Sequence, residues 1–138
     1  MYRNNEHYAD PTFGEAYSHI RKEEIKARFR PVVYICSPYS GNVELNIANA
    51  RRYCKFAVEN KAVPIAPHLL FPQFMNDNDV SECETAMFMN KILISKCAEL
   101  WVFGDQITAG MAVEIEKAKQ RDMKIRYFKD VLEEGEAL

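Results

Sequence analysis

The chain has 138 residues, 48% of them hydrophobic, which suits one compact domain with a buried core and is short for two. Its 18 basic and 20 acidic residues are spread along the chain and leave a formal net charge of −2, so no net field favours a nucleic acid polymer or an anionic membrane. No apolar stretch approaches the roughly 20 residues that span a bilayer, and the polar start MYRNNEHYADP lacks the hydrophobic segment of a secretory signal; a cytoplasmic protein is expected.

Residues 12–29 alternate charged and apolar groups, with RKEEIKAR supplying opposite-charge neighbours, and read as an exposed helix behind an arm containing Tyr2, Tyr8 and Pro11. The expected division is an arm and helix over 1–30, an α/β domain over 31–130 and a tail over 131–138. VVYICS, 32–37, is a buried strand ended by Pro38, Ser40 and Gly41. From about 44 to 60, Ile47, Ala50, Tyr53, Cys54, Ala57 and Val58 recur at three and four residues, giving one helical face.

AVPIAP, 62–67, is a second short strand whose Pro64 suits an edge position. The connection HLLFPQFMNDNDVSE is loop-rich and available to cover a site. A helix is expected over 83–97 with Ala86, Met87, Leu93, Ile94 and Cys97 on one side, then a strand ELWVF, 99–103. A helix over 110–122 with Met111, Ile115 and Ala118 inward leads to a last strand KIRYF, 124–128. Cys36, Cys54, Cys83 and Cys97 form no CxxC pair; three of them fall on expected apolar faces, as reduced core thiols do.

This alternation predicts a three-layer Rossmann- or flavodoxin-like α/β fold, with a parallel sheet of four to five strands in the order 2-1-3-4. The switch point then lies between the first and third strands, which brings SPYSGN, 37–42, beside GDQITAG, 104–110. Ser37, Tyr39, Ser40, Gly41 and Asn42 offer hydroxyl and amide groups suited to a sugar or a single phosphate, although ordinary turn formers have the same composition. Neither GxGxxG nor GxxxxGK[ST] occurs, so NAD and P-loop nucleotides lack their cradle.

Glu114 lies about one turn into the helix that starts near Gly110, where the partial positive charge of the helix end favours an ionised carboxylate of low pKa. It is either a nucleophile or a helix-start carboxylate placed there by the dipole. Asn90 interrupts an inward helix face between Met87 and Ile94, and a polar amide there needs partners, from a ligand or from backbone. His19 and His68 have no Cys, His or Asp at metal-ligand spacing, so no metal and no cofactor are assigned.

Taken together, VYICSPYSGN, PIAPHLLFPQF, CAELWVFGDQITAGMAVEIEKA and KIRYF, in order from about residue 32 to 128, resemble the nucleoside 2-deoxyribosyltransferase-like superfamily, in particular its bacterial and phage members. The resemblance implies that Glu114, in GMAVE, attacks an anomeric carbon, and that Tyr34 stands at the ligand-facing end of the first strand. It implies that Thr108 touches sugar or phosphate, with Gly110 and Met111 on the same binding surface. Asn90 occupies the place of an aspartate that helps protonate the leaving base, and an amide cannot donate that proton.

The implied activity is cleavage of an N-glycosidic bond, or deoxyribosyl transfer, on a deoxynucleoside or its 5′-monophosphate, within a homodimer or larger homo-oligomer. Two rivals stand beside it: a non-catalytic nucleotide-binding or sensing module, and an assembly role for the arm with Tyr2, Tyr8 and Phe13 as contacts.

Overall fold

A computed structural model describes residues 28–129 of the chain. The expected helix over 12–29 falls almost wholly outside these residues, as do the arm and the 131–138 tail. Strands β1 (Val32–Cys36), β2 (Val63–Ile65), β3 (Glu99–Phe103) and β4 (Lys124–Phe128) form one parallel sheet in the order β2-β1-β3-β4. Helices α1 (Val43–Glu59), α2 (Val80–Lys96) and α3 (Ala109–Gln120) supply the crossovers, with two short 3₁₀ turns, Pro67–Leu69 and Phe71–Gln73, between β2 and α2. The fold is α/β and Rossmann- or flavodoxin-like.

Successive strand side chains alternate between the two faces of the sheet. Val33, Ile35, Trp101, Phe103 and Phe128 gather on one face with Ala57 of α1 and Ala62. Tyr53 stacks on Phe103 at 4.4 Å, and Phe103 on Phe128 at 5.0 Å. Tyr34, Cys36, Leu100 and Val102 gather on the other face with Ile94 of α2 and Met111, Ile115 and Ala118 of α3. Burial on both faces explains why β1 and β3 read as unbroken apolar runs.

Two details differ from the sequence reading. Val58 is 46% exposed rather than inward, because it lies one residue past buried Ala57 and each helical step turns about 100°. Phe56 takes its place, its ring centroid 5.2 Å from that of Phe128. Helix α2 begins at Val80 rather than Cys83, because Asp79 caps it by accepting from the amides of Ser81 at 2.9 Å and Glu82 at 3.3 Å. Among the described residues, no helix is long and apolar enough to cross a membrane.

Candidate functional site

A pocket of about 310 Å³ lies beyond the carboxyl ends of β1 and β3, lined by the segments that follow them, within the usual range for small-molecule sites. The loop after β1 contributes Ser37, Tyr39 and Ser40; the segment after β2 contributes Pro67, His68, Phe71, Pro72, Met75, Asn76 and Asp77. Glu82, Cys83, Ala86, Met87 and Asn90 face it from α2, and Thr108, Gly110, Met111 and Glu114 from α3 and its cap. The loop after β1 is held by Asn46, whose side-chain amide donates to the carbonyls of Tyr39 at 2.9 Å and Ser40 at 3.0 Å.

Eight of the eleven residues picked out from the sequence line this pocket: Ser37, Tyr39, Ser40, Asn90, Thr108, Gly110, Met111 and Glu114; Asn42 instead caps α1, accepting from the Leu45 amide at 3.1 Å. Gly41 stands apart; at φ +97° it turns the chain towards α1, a conformation that glycine adopts without strain. Tyr34 is not in the lining either. It is 1% exposed, with its ring in the core and its hydroxyl donating to the Glu114 carboxylate from behind. Thr108 caps α3, its hydroxyl accepting from the Met111 amide at 3.2 Å.

Glu114 is 9% exposed. Burial pushes its carboxyl up to about 7, against the pull of hydrogen bonds from the Tyr34 hydroxyl and the Cys36 thiol. The low pKa expected from the helix end is thus overturned: the dipole is worth a fraction of a kcal/mol up to about 2, and the apolar wall of β1 and α3 outweighs it. A carboxyl near 7 is only partly ionised at neutral pH, which suits a general acid or base; as a nucleophile it acts in its ionised fraction. The Cys36 thiol, 3.8 Å from the Met111 carbonyl, is pushed well up by burial first and by Glu114 second, and stays protonated.

His68, Asn76, Asp77 and Glu82 also line the pocket and were not singled out as site residues. His68 Nε2 lies 2.9 Å from the Ser37 hydroxyl, and burial pulls its imidazole down to about 4, leaving it neutral at physiological pH. The Tyr39 hydroxyl donates to Asp77 at 2.6 Å; partial burial and this bond push the phenol up to about 12. Glu82 accepts from the Asn76 amide at 3.1 Å. The signal for His68 was its place just past the carboxyl end of the strand beside the switch point; for Glu82 it was the Asp-x-x-Glu spacing of a capping box.

Asn90 Oδ1 is buried and has no hydrogen-bond partner, although its residue faces the pocket. A buried acceptor left unpaired costs about 1–3 kcal/mol, a cost that a donor on a bound ligand removes. Among the described residues, no group of three or more His, Cys, Asp and Glu is placed to hold a metal ion.

No curated protein matches the chain. The family described as "Domain of unknown function (DUF7768)" matches residues 31–128, a span that contains every strand of the sheet and every residue of the pocket. The chain belongs to the DUF7768 family.

Proposed function

We propose that the protein cleaves the N-glycosidic bond of a deoxynucleoside or its 5′-monophosphate, or transfers the deoxyribosyl group, with Glu114 as nucleophile. The observation that carries this reading is the Glu114 carboxylate: buried at the wall of an apolar pocket at the switch point, held from behind by the Tyr34 hydroxyl and facing the space a ligand would fill. The resemblance to nucleoside 2-deoxyribosyltransferases adds the reaction class. DUF7768 membership alone supports no more than the fold.

In the proposed mechanism the ionised Glu114 attacks the anomeric carbon as the carbon–nitrogen bond breaks, through an oxocarbenium-like transition state. A glycosyl ester forms on Glu114, and the base leaves with the bonding electron pair. Water then cleaves the ester in hydrolysis, or a second base does so in transfer. Tyr34 holds one carboxylate oxygen, which orients the group and stabilises its charge. Asn90 has no carboxylic proton for the departing base, so bases that leave without protonation are favoured.

The test is incubation of the full chain with a panel of deoxynucleosides and deoxynucleotides, read by chromatography for free base. Base release that disappears in Glu114→Gln supports the reading. The amide at Asn90 favours a second reading, a nucleotide-binding module without turnover, which ligand binding with no base release would establish. We also propose a homodimer or larger assembly, for which exposed Val80, Phe88 and Ile92 along α2 provide apolar surface; a monomeric mass in solution at micromolar concentration would refute it.

A further inference from the structure

The pocket has two lips, each held by hydrogen bonds of its own. On one side Asn46 fixes the Tyr39 carbonyl at 2.9 Å. On the other, the Cys83 thiol donates to the Asp77 carbonyl at 3.0 Å and the Glu82 carboxylate accepts from the Asn76 amide at 3.1 Å, which ties residues 76–77 to the first turn of α2. Between the lips, the Tyr39 hydroxyl donates to the Asp77 carboxylate at 2.6 Å, across 38 positions of sequence and exposed to solvent. Both residues line the pocket. Further in stands His68, its ring edge-on to that of Tyr39 with centroids 6.4 Å apart, and its part-buried Nε2 on the Ser37 hydroxyl.

We propose that the Tyr39–Asp77 hydrogen bond is a gate bar: it narrows the pocket between two fixed lips, and a ligand enters and leaves when the bond opens. The backbone on each side is committed to other bonds, so opening needs a rotamer change of the Tyr39 or Asp77 side chain and no movement of a helix or strand. A phenol–carboxylate bond is charge-assisted, which favours the closed arrangement. Water can replace either partner at an exposed position, which makes the closure reversible. Partial burial and the bond itself push the Tyr39 phenol up to about 12, so the donor keeps its proton at physiological pH. The inference concerns access to the pocket and stands whichever ligand the pocket takes.

The experiment is carbethoxylation of the full chain by diethyl pyrocarbonate, a small reagent that acylates neutral imidazole, with the rate at His68 read by peptide mass analysis. His68 is neutral at physiological pH, so its rate reports access rather than protonation. Tyr39→Phe keeps the ring and removes the bar, and should raise the His68 rate at least about fivefold. Asp77→Asn keeps the size and removes the charge, and should raise it by less. The double variant should match Tyr39→Phe alone, because both changes act on one bond. Equal rates in the parent and Tyr39→Phe overturn the gate, as do effects that multiply in the double variant; unchanged amide exchange in β1 and β3 certifies that each variant is folded. In the same proteins, 2′-deoxyadenosine should both associate and dissociate faster without the bar. A Tyr39 that merely touches the ligand would speed dissociation alone, which also overturns the gate. Failure of deoxyadenosine to bind the parent counts against the nucleoside reading instead, and the His68 rates then decide the gate.

Discussion

The hydroxyl of Tyr34 donates a hydrogen bond to the carboxylate of Glu114 across 80 positions of sequence, from the central strand to the helix that follows its neighbour. Desolvation raises the Glu114 carboxyl, and this bond opposes it more strongly than the Cys36 thiol does. Tyr34→Phe keeps the ring in the core and removes that donor. The Glu114 pKa should rise further, so the acid limb of the activity profile should move to higher pH, which a pH–rate series would detect. An unmoved limb would mean that the hydroxyl does not control Glu114.

Activity in the parent should itself depend on pH, because only ionised Glu114 is nucleophilic. With its pKa at about 7, base release should climb through neutrality and level off above it, dropping about tenfold for each pH unit on the acid side. A profile already flat at pH 5 would assign the chemistry to another group.

Glu114→Gln should lower base release by at least about a hundredfold, near 2.7 kcal/mol of barrier. Its effect on stability should have a pH signature. The folded carboxyl, at about 7, lies above its ordinary 4.5, so the native state retains a proton that the unfolded chain releases between these values. The parent therefore has its full stability from this group below about pH 4.5 and loses it as pH rises through 7, by about 3 kcal/mol at most. Glutamine has no charge to desolvate: the variant should match the parent near pH 5 and exceed it at pH 8 by roughly 1–3 kcal/mol, measured by denaturant unfolding.

Asn90→Asp should raise turnover of ordinary deoxynucleosides, since general acid catalysis is typically worth about 10²–10⁴-fold, with a rate that falls as pH rises through the new carboxyl's pKa. On a substrate with a nitrophenolate leaving group, which needs no proton, the substitution should matter little. An unchanged or lower rate on natural substrates would indicate that another group supplies the proton; of the two nearby aspartates, Asp77 lines the pocket, while Asp79 is committed to capping α2.

Gly110 lies in the first turn of α3 on the pocket wall, and a Cβ there would meet nothing within 4 Å. Gly110→Ala should therefore stabilise the fold by roughly 0.5–1 kcal/mol through helix propensity, while a methyl group intrudes on the ligand's space. Higher thermal stability with weaker nucleoside binding is the expected pair of results; unchanged binding would place the ligand elsewhere.

The sheet was legible in the sequence because β1 and β3 are covered on both faces and so appear as continuous apolar runs, and because Pro64 suits only an edge. The meeting of the 37–42 and 104–110 loops followed from that strand order. Less legible was anything set by atoms distant in sequence. The helix-end argument for Glu114 used only its own helix, whereas its ionisation is governed by burial against Tyr34 and Cys36 on another element. His68, Asp77 and Glu82 lie on or beside the segment after β2, whose 3₁₀ turns leave no periodicity to read. The start of α2 was misplaced by three residues because its capping aspartate stood in a run of Asn and Asp that read as loop.

Pro64 also decides in which direction the sheet could grow. The amide of Val63 donates inwards to the Pro31 carbonyl at 2.8 Å, so the next residue of this three-residue strand, Pro64, faces away from β1. The free rim of β2 thus presents a carbonyl and no amide hydrogen, and it cannot template another strand in continuous register. Among the described residues, extension of the sheet is favoured beside β4, whose Lys124–Phe128 contains no proline. Among the described residues, a single imino acid blunts one rim against amyloid-like stacking, and the rim beside β4 has no such block.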